Sequence, residues 1–227
     1  RNLAVNTSFL DNWRYMSFRS LVLTRSYFGM DFMFDEIPNQ LIPFDYERFF
    51  ASPSTFQIGT TDCETGKARF FDKEELDRHM TILRASCSLP LISPIVRFRE
   101  YRLLDGGIAD PIPVRRALEV GPDKVVVVLT RNREYRKEGL SKAEWACMKI
   151  VYKKYPALLE TLARRHETYN ETLDFIEGLE ESGQALVIRP TRPLDVDRYE
   201  KDPKKLSALY QVGYEDGHAM LERIRSF

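Results

Sequence analysis

The residues with the clearest capacity for chemistry lie at positions 103–111, which read Leu-Leu-Asp-Gly-Gly-Ile-Ala-Asp-Pro. Asp105 ends a short apolar run and is followed by Gly106 and Gly107. Two consecutive glycines allow a positive φ and allow another chain or a ligand to approach closely. We predict that Asp105 stands at the carboxyl end of a strand, where open α/β sheets place their reactive groups. A tight turn, in which Asp105 hydrogen-bonds its own backbone, is the alternative.

The other candidate nucleophiles and bases fit structural roles better. His79, His166 and His218 fall in predicted helices or helix ends rather than in a loop that follows a strand, so we expect surface or packing roles. Ser141 follows Gly139-Leu140, but the second glycine of a G-x-S-x-G nucleophile elbow is absent there. With Glu144 three residues later, Ser141 is predicted to be a helix N-cap in a capping box.

A predicted hairpin precedes the Asp105 segment. Residues 55–61 read as a strand and residues 67–71 as its antiparallel return, with Gly66 supplying the positive φ of the turn. Asp62 lies near the end of the first strand. It could orient a substrate or cap the turn, and the pattern favours the turn.

Helices are predicted on both sides of Asp105. Residues 73–86 carry apolar side chains at helical spacing, with Asp72 as N-cap. A second helix begins near Pro111 or Pro113 and ends at Gly121. One face of the first helix would pack on the sheet, and Asp105 would stand one helix before a central strand.

The remaining predicted strands indicate a parallel sheet. Residues 124–130 form a continuous β-branched run, which is typical of a strand buried on both faces between helices. Residues 185–189 are predicted to extend the same sheet. The last helix, at about 203–224, contains Gly213 and Gly217, which we attribute to close packing of this helix on the sheet.

Residues 8–50 form an aromatic-rich segment. Short helical patterns at 17–24 and 45–51 are predicted to be separated by breaks at Pro38 and Pro43. This helical aromatic cap could line an acyl-chain pocket, because such pockets are mostly apolar. The alternative is ordinary core packing, which is the commoner use of aromatic residues at helical spacing.

Composition restricts the classes of partner. Lys and Arg together number 34, as do Asp and Glu, so no global field favours nucleic acid. No stretch reaches the roughly 18 apolar residues of a membrane span, and the N-terminus shows no signal peptide. We predict a cytoplasmic protein with free thiols. The basic residues 131–137 and five basic residues of the following helices fit either peripheral contact with an anionic membrane or a solvated face. These five are Lys149, Lys153, Lys154, Arg164 and Arg165.

Two blocks resemble the patatin-like phospholipases. Residues 103–111 are similar to that family's second catalytic segment, whose Asp-Gly-Gly supplies the aspartate of a Ser-Asp dyad. The second block is Phe-Gln-Ile-Gly-Thr-Thr-Asp at 56–62, followed by Thr-Gly-Lys at 65–67 and by Phe70. The resemblance covers about residues 54–130. The family's G-x-S-x-G elbow and glycine-rich oxyanion loop are not in this sequence, and we expect both upstream of Arg1.

The resemblance implies a fold. It implies an α/β class with three layers, α/β/α, around a mainly parallel central sheet, whose N-terminal part lies outside the sequence. Residues 1–227 would form the C-terminal portion of a single patatin-like domain that includes the cap at 8–50.

The resemblance also implies a function. Asp105 would be the general base that takes the proton of a serine upstream of this chain, since a desolvated carboxylate can do so without His. Gly106 and Gly107 would give that serine room. The protein would then hydrolyse lipid or acyl esters with no cofactor or metal, and this fragment alone would be inactive. The alternative is a non-catalytic relative that binds a lipid or a protein.

Overall fold

The computed structural model describes residues 7–196 and 200–227, which form two compact units. One unit consists of Asp11–Pro111 and Glu138–Thr168, and the other includes Ile112–Lys137 and Tyr169–Phe227. The strands are β1 Gln57–Asp62, β2 Ala68–Asp72, β3 Val96–Phe98, β4 Tyr101–Asp105, β5 Val125–Val128 and β6 Ala185–Ile188. The α-helices are α1 Phe18–Thr24, α2 Tyr46–Ala51, α3 Thr81–Ser86, α4 Val114–Glu119, α5 Lys142–Val151, α6 Pro156–Glu181, α7 Pro203–Ala219 and α8 Leu221–Ser226.

The unit that contains Asp105 is built on a four-stranded antiparallel sheet in the order β2-β1-β4-β3. The predicted hairpin is confirmed, and Gly66 has the expected positive φ of 67° in its turn. In the central pair, Thr60 lies opposite Asp105 and Thr61 opposite Leu104. The end of β4 is therefore held by β1.

Both faces of this sheet are covered within the unit, because successive strand residues point to opposite sides. Leu103 belongs to a cluster with Ile82 and Ala85 of α3. Leu104 belongs to a second cluster with Met148 of α5 and Leu158 of α6. All of these side chains are buried. The strand that carries Asp105 thus lies between two helical layers.

The predicted helix at 73–86 is wrong in part. Residues Lys73–Glu75 form a single 3₁₀ turn, and α3 begins only at Thr81, after Met80 in the left-handed conformation with a φ of 51°. The break has a local cause, because the Asp77 carboxylate accepts hydrogen bonds from the Thr81 N–H at 2.9 Å and the Thr81 hydroxyl at 2.6 Å. The predicted cap at Asp72 is confirmed as half of a capping box.

The two short helices of the aromatic segment are confirmed. Ser17 caps α1 and Asp45 caps α2, each accepting a backbone hydrogen bond. The predicted break at Pro38 is wrong, because Pro38 lies inside a π-helix, Phe32–Leu41. The wider i→i+5 turn removes the i→i−4 bond that proline disrupts in an α-helix.

The second unit contains the parallel pair. Strands β5 and β6 pair in parallel from Val125–Ala185 to Val128–Ile188, as predicted for one shared sheet. Burial on both faces of β5 is wrong, because Val126 is 47% exposed and Val128 68% exposed. The apolar cluster of this unit covers only the face of Val125 and Val127. The β-branched residues therefore indicate that this segment favours a strand, and they do not indicate burial on both faces.

The mixed α/β class is confirmed, but strand direction around Asp105 differs from the expected mainly parallel sheet. In the described part of the chain, parallel pairing is confined to β5 and β6. Short connections explain the antiparallel sheet, since only Arg99 and Glu100 separate β3 from β4 and a parallel crossover needs a dozen or more residues. The single-domain organisation stays a prediction.

The expected close packing at Gly213 and Gly217 is wrong. A Cβ added at either position would meet no atom of the described chain within 4 Å. No residue of α7 is buried. The described structure therefore gives no physical account of these two glycines.

Candidate functional site

Asp105 is the last residue of β4, and its main chain is fixed on both sides. Its N–H donates to the Ser88 carbonyl at 3.0 Å, and its carbonyl accepts from the Thr61 hydroxyl at 2.8 Å. The side chain is half-buried, and Oδ1 accepts the Gly107 N–H at 2.8 Å. Both alternatives from the sequence are therefore true of Asp105. It is the last residue of a strand, and its side chain accepts a hydrogen bond from the backbone of the following turn.

Thr61 connects the two ends of this turn. Its side chain is fully buried, and its Oγ1 also accepts the Ala109 N–H at 3.1 Å. The residues between, Gly106–Ile108, form one 3₁₀ turn. Thr61 belongs to the 56–62 block of the sequence analysis, which gave it no role of its own, because that role depends on the pairing of β1 with β4.

The two glycines have different roles, and neither has the positive φ that was expected. A Cβ on Gly106 would lie 2.3 Å from the Gly59 carbonyl oxygen, so Gly106 allows β1 to approach. A Cβ on Gly107 would lie 3.0 Å from Asp105 Oδ1 and 3.6 Å from Arg165 Nη2. Gly107 is therefore the glycine that borders the carboxylate.

Arg165 is the residue that the sequence analysis missed, having placed it on a solvated basic face. It lies on α6 within the same unit, and its Nε donates to the Gly107 carbonyl at 2.6 Å. The donor and acceptor are 58 residues apart in sequence. A half-buried guanidinium thus holds the turn on which the Asp105 carboxylate is oriented.

Replacing Arg165 with Gln is expected to lower the free energy of unfolding by about 1.5–3 kcal/mol, because a hydrogen bond from a charged donor is lost. The matched control is Arg164→Gln, since Arg164 is 64% exposed and its ion pair in the described structure is with Glu167 on its own helix. That change is expected to cost about 0.5 kcal/mol or less. Urea unfolding of the two variants measures the difference, and equal costs would contradict the anchoring role of Arg165.

Cys87 lies within the electrostatic range of Asp105. Part of the residue reaches solvent, yet burial of the thiol, reinforced by the negative charge of Asp105, raises the pKa of Cys87 to about 11. Burial also raises the pKa of Cys63 to about 12. All three cysteines are free thiols in the structure.

Alkylation of Cys87 is expected to accelerate about tenfold for each pH unit up to about 11, because only the thiolate reacts. Asp105→Asn removes a negative charge, so it should lower the pKa of Cys87 and increase its alkylation rate at a given pH. Mass spectrometry of the peptides gives the rate, with Cys147 as the internal control. An unchanged Cys87 rate in Asp105→Asn would contradict the proximity of the two groups.

The remaining candidates have the structural roles that were predicted. The Asp62 carboxylate caps its turn, accepting from the Glu64 N–H and the Thr65 hydroxyl at 3.1 Å each. Ser141 caps α5 in a capping box with Glu144.

The histidines also contact groups typical of surface and packing positions. His79 lies 3.5 Å from an Asp35 oxygen, and His218 stacks on Tyr214. Within residues 7–196 and 200–227, no cluster of three or more His, Cys, Asp or Glu is placed to hold a metal ion. None of the helices in those ranges is both long and apolar enough to cross a bilayer.

A cavity of about 380 Å³ lies between the aromatic segment and α3, in the unit that contains Asp105. Its wall includes the apolar side chains of Trp13, Phe32 and Val96. It also includes seven polar or charged residues: Arg14, Ser20, Thr24, Ser26, Asp31, Thr81 and Arg84. Ser26 is 1% exposed, and its Oγ has no hydrogen-bond partner in the described structure. A cavity that combines aromatic and aliphatic side chains with an unsatisfied hydroxyl has features of a small-molecule pocket.

The fold and the site define a mixed α/β protein whose half-buried carboxylate ends a central strand beside a glycine pair. The chain belongs to the patatin-like phospholipase family, whose model matches residues 1–118, just over half of its length. A second model, a domain of unknown function (DUF6363), matches residues 155–227. Family membership implies a protein of the lipid acyl hydrolase kind, typically a serine hydrolase, with lipid substrates.

Proposed function

We propose that this chain supplies the aspartate of a Ser-Asp dyad that hydrolyses carboxylic esters of lipids. Asp105 is the general base, and the serine belongs to a segment upstream of Arg1. The observation that carries the proposal is the position of the carboxylate at the end of β4, with Oδ1 held by the Gly107 N–H. Family membership supplies the reaction class.

The chemistry follows from the position of the carboxylate. As the serine oxygen attacks the ester carbonyl, its proton passes to Asp105. The tetrahedral intermediate expels the alcohol, which takes that proton, and an acyl-enzyme remains. Asp105 then accepts a proton from water as the water attacks the acyl-enzyme. The second tetrahedral intermediate expels the serine oxygen, which takes that proton from Asp105, and the fatty acid leaves. No cofactor or metal takes part in this sequence.

The residues around Asp105 keep its carboxylate in one orientation. The Gly107 N–H fixes one carboxylate oxygen, and Arg165 fixes the Gly107 carbonyl, so the turn keeps one geometry. Thr61 holds Asp105 from the β1 side. Such preorganisation matters because a displacement of about 1 Å can reduce turnover about 100-fold.

The test is hydrolysis of short-chain and long-chain acyl esters by the full-length protein and by its Asp105→Asn variant. Turnover by the parent protein and its loss in the variant would support the assignment. Wild-type turnover in the variant would exclude Asp105 as the base. The encoded sequence before Arg1 must also contain a G-x-S-x-G segment between a strand and a helix.

The second candidate function is a non-catalytic lipid-binding relative. The cavity beside α3 favours it, because Trp13, Phe32 and Val96 would contact an acyl chain while the unsatisfied Ser26 hydroxyl would bind its polar group. Such a protein would bind a fatty acid without hydrolysing any ester. The absence of G-x-S-x-G from the full-length sequence would select this function over the first.

A further inference from the structure

Helix α1 has the reverse of the polarity expected for a surface helix. Phe18 is 77% exposed, Val22 82% and Leu23 64%, whereas the buried residue of the helix is Ser20, which is 2% exposed. In a water-facing helix the apolar stripe packs inward and the polar residues face solvent. Here the apolar side chains face outward: Phe18 and Val22, four residues apart, are neighbours on one helix face, and the exposed Leu23 follows Val22.

The cations around this stripe indicate what covers it. Arg19 and Arg25 are exposed, and Arg19 lies over the ring of Trp13 at 4.3 Å from its centroid. Residues 11–25 contain three arginines and one acidic residue, Asp11, a net charge of +2 in a chain whose net charge is zero. Among the residues the structure describes, no ion pair joins Arg19 or Arg25, whereas Arg14 is paired with Glu36.

The basic stretch at 131–137 is a weaker candidate for the same role. Arg133 lies 3.8 Å from Glu177, and Arg136 lies 3.4 Å from Asp174. These ion pairs neutralise much of its charge within its own unit. Within residues 131–137 themselves, no large apolar side chain is exposed.

We propose that the outward face of α1, formed by Phe18, Val22 and Leu23 and flanked by Arg19 and Arg25, docks on a lipid bilayer that contains anionic phospholipids. The apolar side chains enter the boundary between headgroups and acyl chains, and the two arginines bind the lipid phosphates. Apolar burial combined with cationic attraction is the mode of binding of interfacial helices. Docking goes beyond ester hydrolysis and does not need Asp105, so binding and turnover can fail separately.

The experiment measures sedimentation of the full-length protein with vesicles of equimolar phosphatidylcholine and phosphatidylserine, and with vesicles of phosphatidylcholine alone. The wild-type protein is expected to bind the anionic vesicles more tightly and to lose affinity at high salt. The double variant Phe18→Ser/Val22→Ser is expected to bind at least about tenfold more weakly, because two inserted side chains are lost.

The matched control is Ile150→Ser/Val151→Ser on α5, where the wild-type side chains are 73% and 57% exposed. This variant should bind like the wild type. Hydrolysis of a water-soluble short-chain ester should be unchanged in the α1 variant, which separates docking from turnover. The proposal is overturned if the wild type does not bind, if the α1 variant binds equally well, or if α1 instead mediates self-association without lipid.

Discussion

Asp105→Asn in the full-length protein is expected to reduce the turnover number for acyl esters by about 100- to 10,000-fold, the contribution of a positioned general base. The amide is close to isosteric with the carboxylate, and its oxygen can still accept the Gly107 N–H that Oδ1 now accepts at 2.8 Å. The turn should therefore survive, and the loss would report the missing base. Steady-state hydrolysis of a soluble ester measures the turnover number.

The control for this substitution is Asp123→Asn, which removes an exposed carboxylate outside the unit that contains Asp105. It should leave turnover and the midpoint of thermal unfolding unchanged. If Asp105→Asn keeps more than about a tenth of the wild-type turnover number, the base must be another group. If it instead lowers the unfolding midpoint strongly, the role of Asp105 is structural.

Much of the local structure could be predicted because its causes lie within a few residues. The predicted caps at Asp72 and Ser141 depend on a side-chain oxygen and an N–H three residues later. The turn at Gly66 depends on a backbone conformation that glycine adopts at little cost. In each case the residue type and its neighbours are sufficient.

Strand direction and strand burial could not be predicted in the same way, because they depend on partners distant in sequence. The β-branched run at Val125–Val128 would look the same whether one face or both faces were covered. The apolar residues of 73–86 do recur at helical spacing. The helix nevertheless begins only at Thr81, whose N–H donates a hydrogen bond to the Asp77 carboxylate. A local hydrogen bond there outweighed the periodicity.

The same distinction between local causes and partners distant in sequence applies to the residues of the site. Asp105 could be found from its own segment, because a carboxylate before two glycines is a local pattern with a chemical meaning. Arg165 and Thr61 could not, since their bonds to the turn cross 58 and 44 residues of chain. Among several interleaved charges on one helix, nothing in the sequence distinguishes Arg165 from the exposed Arg164.

Gly106→Ala is expected to cost about 3 kcal/mol or more of folding free energy, whereas Gly107→Ala should cost less than about 1 kcal/mol. The Gly106 methyl would lie 2.3 Å from the Gly59 carbonyl oxygen and 2.6 Å from its carbon, so the β1 backbone itself must move. The Gly107 methyl would meet only the ends of two side chains, Asp105 Oδ1 and Arg165 Nη2. These atoms can shift by a few tenths of an ångström.

The more stable of the two glycine variants, Gly107→Ala, should be the less active one. Gly107→Ala should fold, yet its methyl displaces the Asp105 carboxylate, and turnover is expected to fall about tenfold with little change in KM. Gly106→Ala should show a lower unfolding midpoint, and the fraction that remains folded should turn over ester more nearly at the wild-type rate. Thermal unfolding and active-site titration measure the two quantities on the same samples. Equal unfolding midpoints for the two variants would mean that β1 does not approach Gly106 as closely as the structure places it.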